Sequence, residues 1–123
     1  MKVNELKSLA IIAGYEPYTE FTNYKDDLIC YLVKGENQKG ALIDPDIKDS
    51  TSTWQPQINL NQFYEVLFAA ADKGVNIQHF IMGEAVYWDA YTEDVVSHKS
   101  QESTRDSFQG DMLRAILTLA GYE

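Results

Sequence analysis

The chain has 123 residues, of which 45% are hydrophobic and 12% aromatic, and it carries a formal net charge of −9. This length predicts one domain spanning residues 1–123, and the hydrophobic content predicts a packed core and excludes a disordered chain. The 19 acidic residues outnumber 10 basic ones, so the chain repels nucleic-acid phosphates and anionic membranes, and direct binding to either is not expected. The acidic surface either keeps the protein soluble or attracts a basic protein partner.

No apolar run approaches the roughly 20 residues of a membrane-spanning helix. The N-terminal segment 1–6 also lacks the basic and apolar regions of a secretory signal peptide. The single cysteine, Cys30, cannot form a disulfide within the chain and lies in an apolar run, as expected of a core side chain in a reducing compartment. We therefore expect a cytoplasmic protein without a membrane segment.

Three helices are predicted, each from apolar residues at helical spacing and each ended by a glycine. Glycine ends a helix because it adopts positive φ freely, and the next apolar side chain then folds back onto the last turn. The expected N-caps are Asn4, Asn59 or Asn61, and Asp106, the last with Gln109 as a capping box; the expected terminal glycines are Gly14, Gly74 and Gly121.

Alternating or wholly apolar residues predict strands between these helices. The expected strands cover residues 18–25, 27–34, 41–43, 75–82 and 85–91. Short turns between successive strands imply antiparallel pairing, whereas the polar segments 46–57 and 94–104 are expected to be connections.

The order of these elements predicts an α+β fold, in which a small antiparallel sheet is covered by about three helices as an α-β-α sandwich. Apolar residues on both faces of the strand over 28–33 favour helices on both sides of that sheet. The expected core brings Leu32, Phe63, Leu67 and Ile116 together.

Residues that carry catalysis or bind metals do not form a recognisable pattern. His79 and His98 have no paired ligand motif, and the Asp44-Pro45-Asp46 segment lacks the glycine and glutamate of a calcium-binding EF-hand. No nucleophile elbow, dinucleotide-binding or P-loop motif occurs. We predict no catalytic residue, cofactor or metal, although a carboxylate pair such as Glu84 and Asp89 leaves a small-molecule enzyme as an alternative.

The 84–94 hairpin is the candidate interaction surface. Strand alternation places Tyr87, Asp89 and Tyr91 on one face and Val86 and Trp88 on the other. We expect the tyrosine face to be exposed, because tyrosines surrounded by carboxylates are typical of protein-binding surfaces. The candidate interface consists of Glu84, Tyr87, Asp89, Tyr91, Glu93 and Asp94.

The segment Trp54-Gln55-Pro56, the following helix with Phe63, Val66 and Leu67, and the late Leu113-Arg114-Ala115-Ile116 resemble a family of small phage proteins, the phage ABA sandwich group. The resemblance covers residues 54–121. It implies helix, sheet and helix layers and a phage or prophage origin, but no catalytic residue, because the family has no established activity.

We therefore expect a phage-encoded accessory protein in the host cytoplasm that binds a host protein, a phage protein or a second copy of itself. One alternative is an acidic decoy that imitates DNA to inhibit a host nucleic-acid-binding protein. The other is a small-molecule enzyme.

Overall fold

The computed structural model describes residues 1–17, 30–35, 39–44, 47, 49, 52–94 and 96–122. The helices in these ranges are α1 (Val3–Ile12), α2 (Leu60–Asp72) and α3 (Phe108–Leu119). The strands are β1 (Glu16–Pro17), β2 (Cys30–Lys34), β3 (Lys39–Ile43), β4 (Asn76–Met82), β5 (Ala85–Tyr91) and β6 (Val96–Thr104). The predicted strand over 18–25, the start of the one over 27–34 and the side chain of Cys30 lie outside the described residues.

The described strands form two antiparallel sheets instead of the single small sheet that we expected. The first sheet has the order β1-β2-β3, and the second has the order β4-β5-β6. Beyond β3 along the chain, the backbone N–H of Trp54 donates to the carbonyl of Leu42 on β3 at 2.8 Å. This bond uses part of the outer edge of β3, and α2 then carries the chain away to the second sheet.

The three helices pack against each other and against both sheets, which confirms the α+β class. Helix α1 contacts β3, α2 contacts β4, and α3 contacts β5 and β6. Leu32, Phe63 and Ile116 are buried, and Leu67 packs partly buried against them, as the sequence predicts. No helix in the described part of the chain is both long and apolar enough to cross a membrane.

All three helices end with the predicted glycine in the left-handed region, at φ +97° for Gly14, +86° for Gly74 and +88° for Gly121. In α2, for example, Gly74 N–H donates to Ala71 and Val75 N–H donates to Ala70. At the ends of α1 and α3, the N–H groups of Gly14 and Gly121 and of the residue after each make the same two hydrogen bonds to the last turn of the helix. This pair of bonds is the Schellman motif, which satisfies carbonyls that the helix itself cannot pair.

The helix starts agree less well with the sequence. Asn59 is the N-cap of α2 and accepts a hydrogen bond from Gln62 N–H at 3.0 Å, as predicted. Helix α1 begins earlier than expected, at Val3, where the Glu5 carboxylate accepts from the backbone N–H of Lys2 at 3.0 Å. The expected capping box at Asp106 is wrong, since Ser107 precedes α3 and makes no side-chain cap bond.

The expectation of a polar connection over 94–104 is also wrong, because residues 96–104 form β6. Strand β6 pairs with β5 along most of its length. Among the side chains of β6 that the structure describes, that of Ser103 is buried; it accepts from the indole N–H of Trp88 at 2.9 Å and donates to Asp111 at 2.7 Å. Hydrogen bonds thus anchor a strand whose sequence lacks the apolar alternation of an ordinary strand.

Candidate protein-binding surface

Strand β5 alternates between two environments, as its sequence predicts. Val86, Trp88 and Ala90 are buried on the side that faces the helices. Tyr87 and Tyr91 lie on the opposite side, as predicted. We expected both side chains to be exposed, but they are half-buried. We call this side, with Phe80, Tyr87, Asp89, Tyr91 and Glu102, the outer face of the second sheet.

Two cross-strand neighbours explain why Tyr87 is half-buried. Its ring stacks on Phe80 of β4 with the ring centroids 5.2 Å apart and the planes inclined by 26°. On its other side it is paired with Glu102 of β6, whose side chain is exposed. Phe80 is itself 56% exposed. The outer face therefore presents a stacked aromatic pair beside a carboxylate.

Asp89 has a structural partner within the sheet. Its carboxylate accepts a hydrogen bond from the backbone N–H of Ser100, where the β5–β6 register shifts and Ser100 adopts a positive φ of 55°. A carboxylate that accepts a backbone N–H stabilises such an irregular turn of the chain. Together with Phe80 and Tyr87, these two residues border a hollow of about 360 Å³ on the outer face.

The candidate carboxylates are divided between the two ends of β5. Glu84 is exposed in the turn before β5, and Glu93 and Asp94 are exposed after it. The strand rise of about 3.3 Å per residue puts Glu84 roughly 16 Å from Asp89. These two carboxylates are therefore not brought together as an acid–base pair. The sequence also missed Glu102, which only becomes a neighbour of Tyr87 once β6 is known to be a strand.

A second polar cluster, also missed from the sequence, surrounds Glu65 of α2. Its carboxylate accepts from the Tyr15 hydroxyl at 3.0 and 3.1 Å, the Trp54 indole N–H at 3.1 Å and the Lys34 ammonium at 2.7 Å. Burial, and then the hydrogen bond to Glu65, raises the pKa of Tyr15. The Lys34 ammonium also lies 4.6 Å from the centre of the Tyr15 ring. With so many donors around it, Glu65 acts as a structural anchor.

The Trp54-Gln55-Pro56 segment packs against the Glu65 cluster. The Trp54 ring is buried against Tyr15, with the ring centroids 5.7 Å apart. The backbone N–H of Gln55 donates to the Gln62 side chain, and the Pro56 carbonyl accepts from Gln109 at 2.9 Å. This segment thus ties α2 to α1 and α3, which is a structural role.

Within the described residues, no group of three or more histidine, cysteine, aspartate or glutamate side chains is placed to hold a metal ion. Asp46 of the acidic 44–49 segment lies outside those residues.

No family model, no curated protein and no solved structure matches the chain. The resemblance to the phage ABA sandwich group and the phage origin that it implies therefore stay predictions from the sequence.

Proposed function

We propose that the protein acts by binding a basic protein segment on the outer face of its second sheet, as an accessory protein of the kind that the phage resemblance implies. The observation that carries this proposal is the exposed Phe80, stacked on Tyr87 in the middle of a sheet face that bears Asp89 and Glu102. Tyrosine is enriched among the few residues that contribute most of the binding energy at protein interfaces, and aromatic rings offer a large area to a partner.

The charges around the aromatic pair favour a basic partner. Glu102 lies beside Tyr87, while Glu84, Glu93 and Asp94 are exposed at the two ends of β5. Together with the net charge of −9, these carboxylates attract lysine- and arginine-rich segments and speed their association. We expect the rings to supply most of the affinity and the carboxylates most of the association rate.

The proposal is tested by selecting peptides from a displayed random library on the immobilised protein. We expect the selected peptides to be rich in Lys and Arg with at least one aromatic or long apolar residue. For one such peptide, Tyr87→Ala should raise the Kd by about 30-fold or more. A Glu93→Lys and Asp94→Lys double variant should mainly slow association and reduce its dependence on salt.

Matched controls lie away from the outer face. Ile58→Ala removes another exposed large apolar side chain, and Glu16→Lys reverses another exposed charge, so both should leave the affinity unchanged. Peptides without basic enrichment, or binding that is insensitive to Tyr87→Ala, would contradict the proposal. If the charge reversals weakened binding and Tyr87→Ala left the Kd unchanged, the acidic decoy would be favoured instead.

A further inference from the structure

We propose that two copies of the chain associate through the free edge of β4 and through one face of α2. That face consists of Leu60, Tyr64 and Phe68, which we call the α2 stripe. The pairing would join the two second sheets into one continuous sheet of six strands. It involves the edge of the sheet and its helix side, and it does not depend on the outer face.

Within the described part of the chain, strand β4 is an edge of the second sheet. All seven of its residues pair with β5 without a shift in register, and no described strand pairs with its other edge. Residues 76–82 contain no charged residue, proline or glycine, and Ile81 and Met82 are 56% and 65% exposed. An edge with an unbroken register, exposed apolar side chains and no charge or proline is a template for pairing with another strand.

The other edges in the described part of the chain carry the features that prevent such pairing. On β6 the register shifts opposite Asp89, and Lys99 is exposed beside the shift. On β3 the Leu42 carbonyl is taken by Trp54, and β1 has only two residues. Bulges, lysines and covering loops are the devices that block edge-to-edge association. Among the described edges, only β4 lacks these features, and we therefore infer that this edge pairs with another strand.

The α2 stripe borders the same edge. Its three side chains, four residues apart, are all exposed, with Phe68 at 73%, and the Tyr64 and Phe68 ring centroids are 6.4 Å apart. Tyr64 and Phe68 form one wall of a groove of about 200 Å³, and Asn76 and Ile77 of β4 form another. The exposed apolar helix face and the free strand edge thus make one surface.

A second copy fits this surface by symmetry. A two-fold axis perpendicular to the sheet pairs β4 antiparallel with its own copy and keeps both α2 helices on the same side of the enlarged sheet. Each α2 stripe then faces the other across the axis. Full pairing of the seven residues puts His79, the middle residue, nearest the axis, with Ile77 opposite Ile81 of the second copy.

Surface area and charge favour the second copy over another partner. The exposed fractions of Leu60, Tyr64, Phe68 and Ile81 add up to about two fully exposed large side chains, or roughly 400 Å² per copy. The two copies, with their strand edges, approach the ~1,000 Å² of a specific interface. Residues 76–82 and the α2 stripe contain no carboxylate, and Asp72 lies at the end of that helix face, so two chains of charge −9 can meet there with little local repulsion.

The test is the mass in solution, measured by sedimentation between about 1 and 200 μM, a range that resolves a micromolar Kd. We expect a concentration-dependent rise from the 14.0 kDa monomer to twice that mass. His79→Lys should raise the dimer Kd at least about tenfold, because it places two like charges opposite each other. Phe68→Lys should do the same, although both changes lower the overall charge repulsion between copies.

Tyr122→Lys is the matched control, since it adds the same charge at another exposed aromatic residue and should leave the dimer intact. Hydrogen exchange of the unaltered protein supplies a measurement that needs no variant. The amides of β4 should become protected as the concentration rises, and those of β6 should not. A monomer at every concentration, or a dimer insensitive to both His79→Lys and Phe68→Lys, would overturn the proposal whatever the outer face binds.

Discussion

The carboxylate of Glu65 on α2 accepts hydrogen bonds from three other parts of the chain. Its donors come from the end of α1, from β2 and from the segment before α2. A carboxylate with several donors stabilises its surroundings most where water is largely excluded, and the Glu65 side chain is only 14% exposed. One consequence is that Tyr15, which is buried beside it, resists ionisation.

We expect Tyr15 to make the protein less stable in alkali. Burial, and then the hydrogen bond to Glu65, raises the pKa of Tyr15 above its ordinary value of 10.0. In the unfolded chain this hydroxyl loses its proton near pH 10, whereas in the folded chain it keeps it. The stability it contributes is therefore complete below about pH 10 and is lost as the pH rises further.

Urea unfolding at several pH values measures this effect. The free energy of unfolding should fall more steeply above about pH 10 in the unaltered protein than in Tyr15→Phe. Tyr122→Phe, which changes an exposed tyrosine, should keep the steeper slope. Equal slopes for the unaltered protein and Tyr15→Phe would show that Tyr15 is not shielded as the structure indicates.

At the scale of elements, the glycine that follows α2 should stabilise the protein through its backbone conformation alone. Gly74 has φ +86°, and a Cβ added there would meet no atom within 4 Å. Gly74→Ala should therefore lower the free energy of unfolding by about 1–2 kcal/mol, the cost of the left-handed region for a residue with a Cβ. Chemical denaturation measures the difference.

Gly110 supplies the control for that substitution. It lies within α3 at an ordinary helical φ, and its added Cβ would also meet nothing within 4 Å. Gly110→Ala should raise the stability by about 0.5–1 kcal/mol, because alanine favours the helix more than glycine does. The two changes should thus act in opposite directions, and a loss of stability from both would contradict this account.

Two phenylalanines of α2 separate its buried face from its exposed face. Phe63 is fully buried and makes an edge contact with Phe108, while Phe68 is 73% exposed. Phe63→Ala should destabilise the protein by about 3–5 kcal/mol. Phe68→Ala, measured in the same denaturation experiment below the dimer concentration range, should change stability by no more than about 0.5 kcal/mol. If both changes lowered the free energy of unfolding by similar amounts, α2 would have to be rotated about its axis relative to this structure.

The elements that the sequence predicted well are those with a strong apolar pattern and a glycine at the end. Helix α2 and strands β4 and β5 agree closely with their predicted ranges. Phe63 and Val66 mark the buried face of α2 and Val86 that of β5, whereas the residues of β4 are half-buried or exposed. Strand β6 escaped prediction because its sequence lacks apolar alternation, while its pairing with β5 and the hydrogen bonds of Ser103 hold it in place. The division into two sheets depends on which strands pair with each other, and no local sequence pattern reveals that pairing.

At the scale of the whole molecule, alternation in β5 was enough to place Tyr87 and Tyr91 on the face away from the helices. Their neighbours could not be predicted, since Phe80 and Glu102 reach them only through strand pairing. The exposure of Phe68 was equally hidden, because a phenylalanine in an apolar helical stripe looks like a core residue. Which side chains remain exposed depends on the packing of all elements together.

The two proposed surfaces make a joint prediction at this scale. Pairing through β4 would place two outer faces on one continuous sheet, so the dimer would hold two binding sites for a basic segment. A surface coated densely with the basic peptide should then retain the unaltered protein at least tenfold longer than it retains the Phe68→Lys variant. The reason is that when one site of a dimer releases its peptide, the other site holds the dimer at the surface until the first site binds again. Both proteins should bind a single peptide in solution with similar Kd. Ile47→Lys, which adds the same charge at an exposed residue beside Met1 and Leu6, should match the unaltered protein on the coated surface. Equally short retention of all three proteins would contradict bivalent binding.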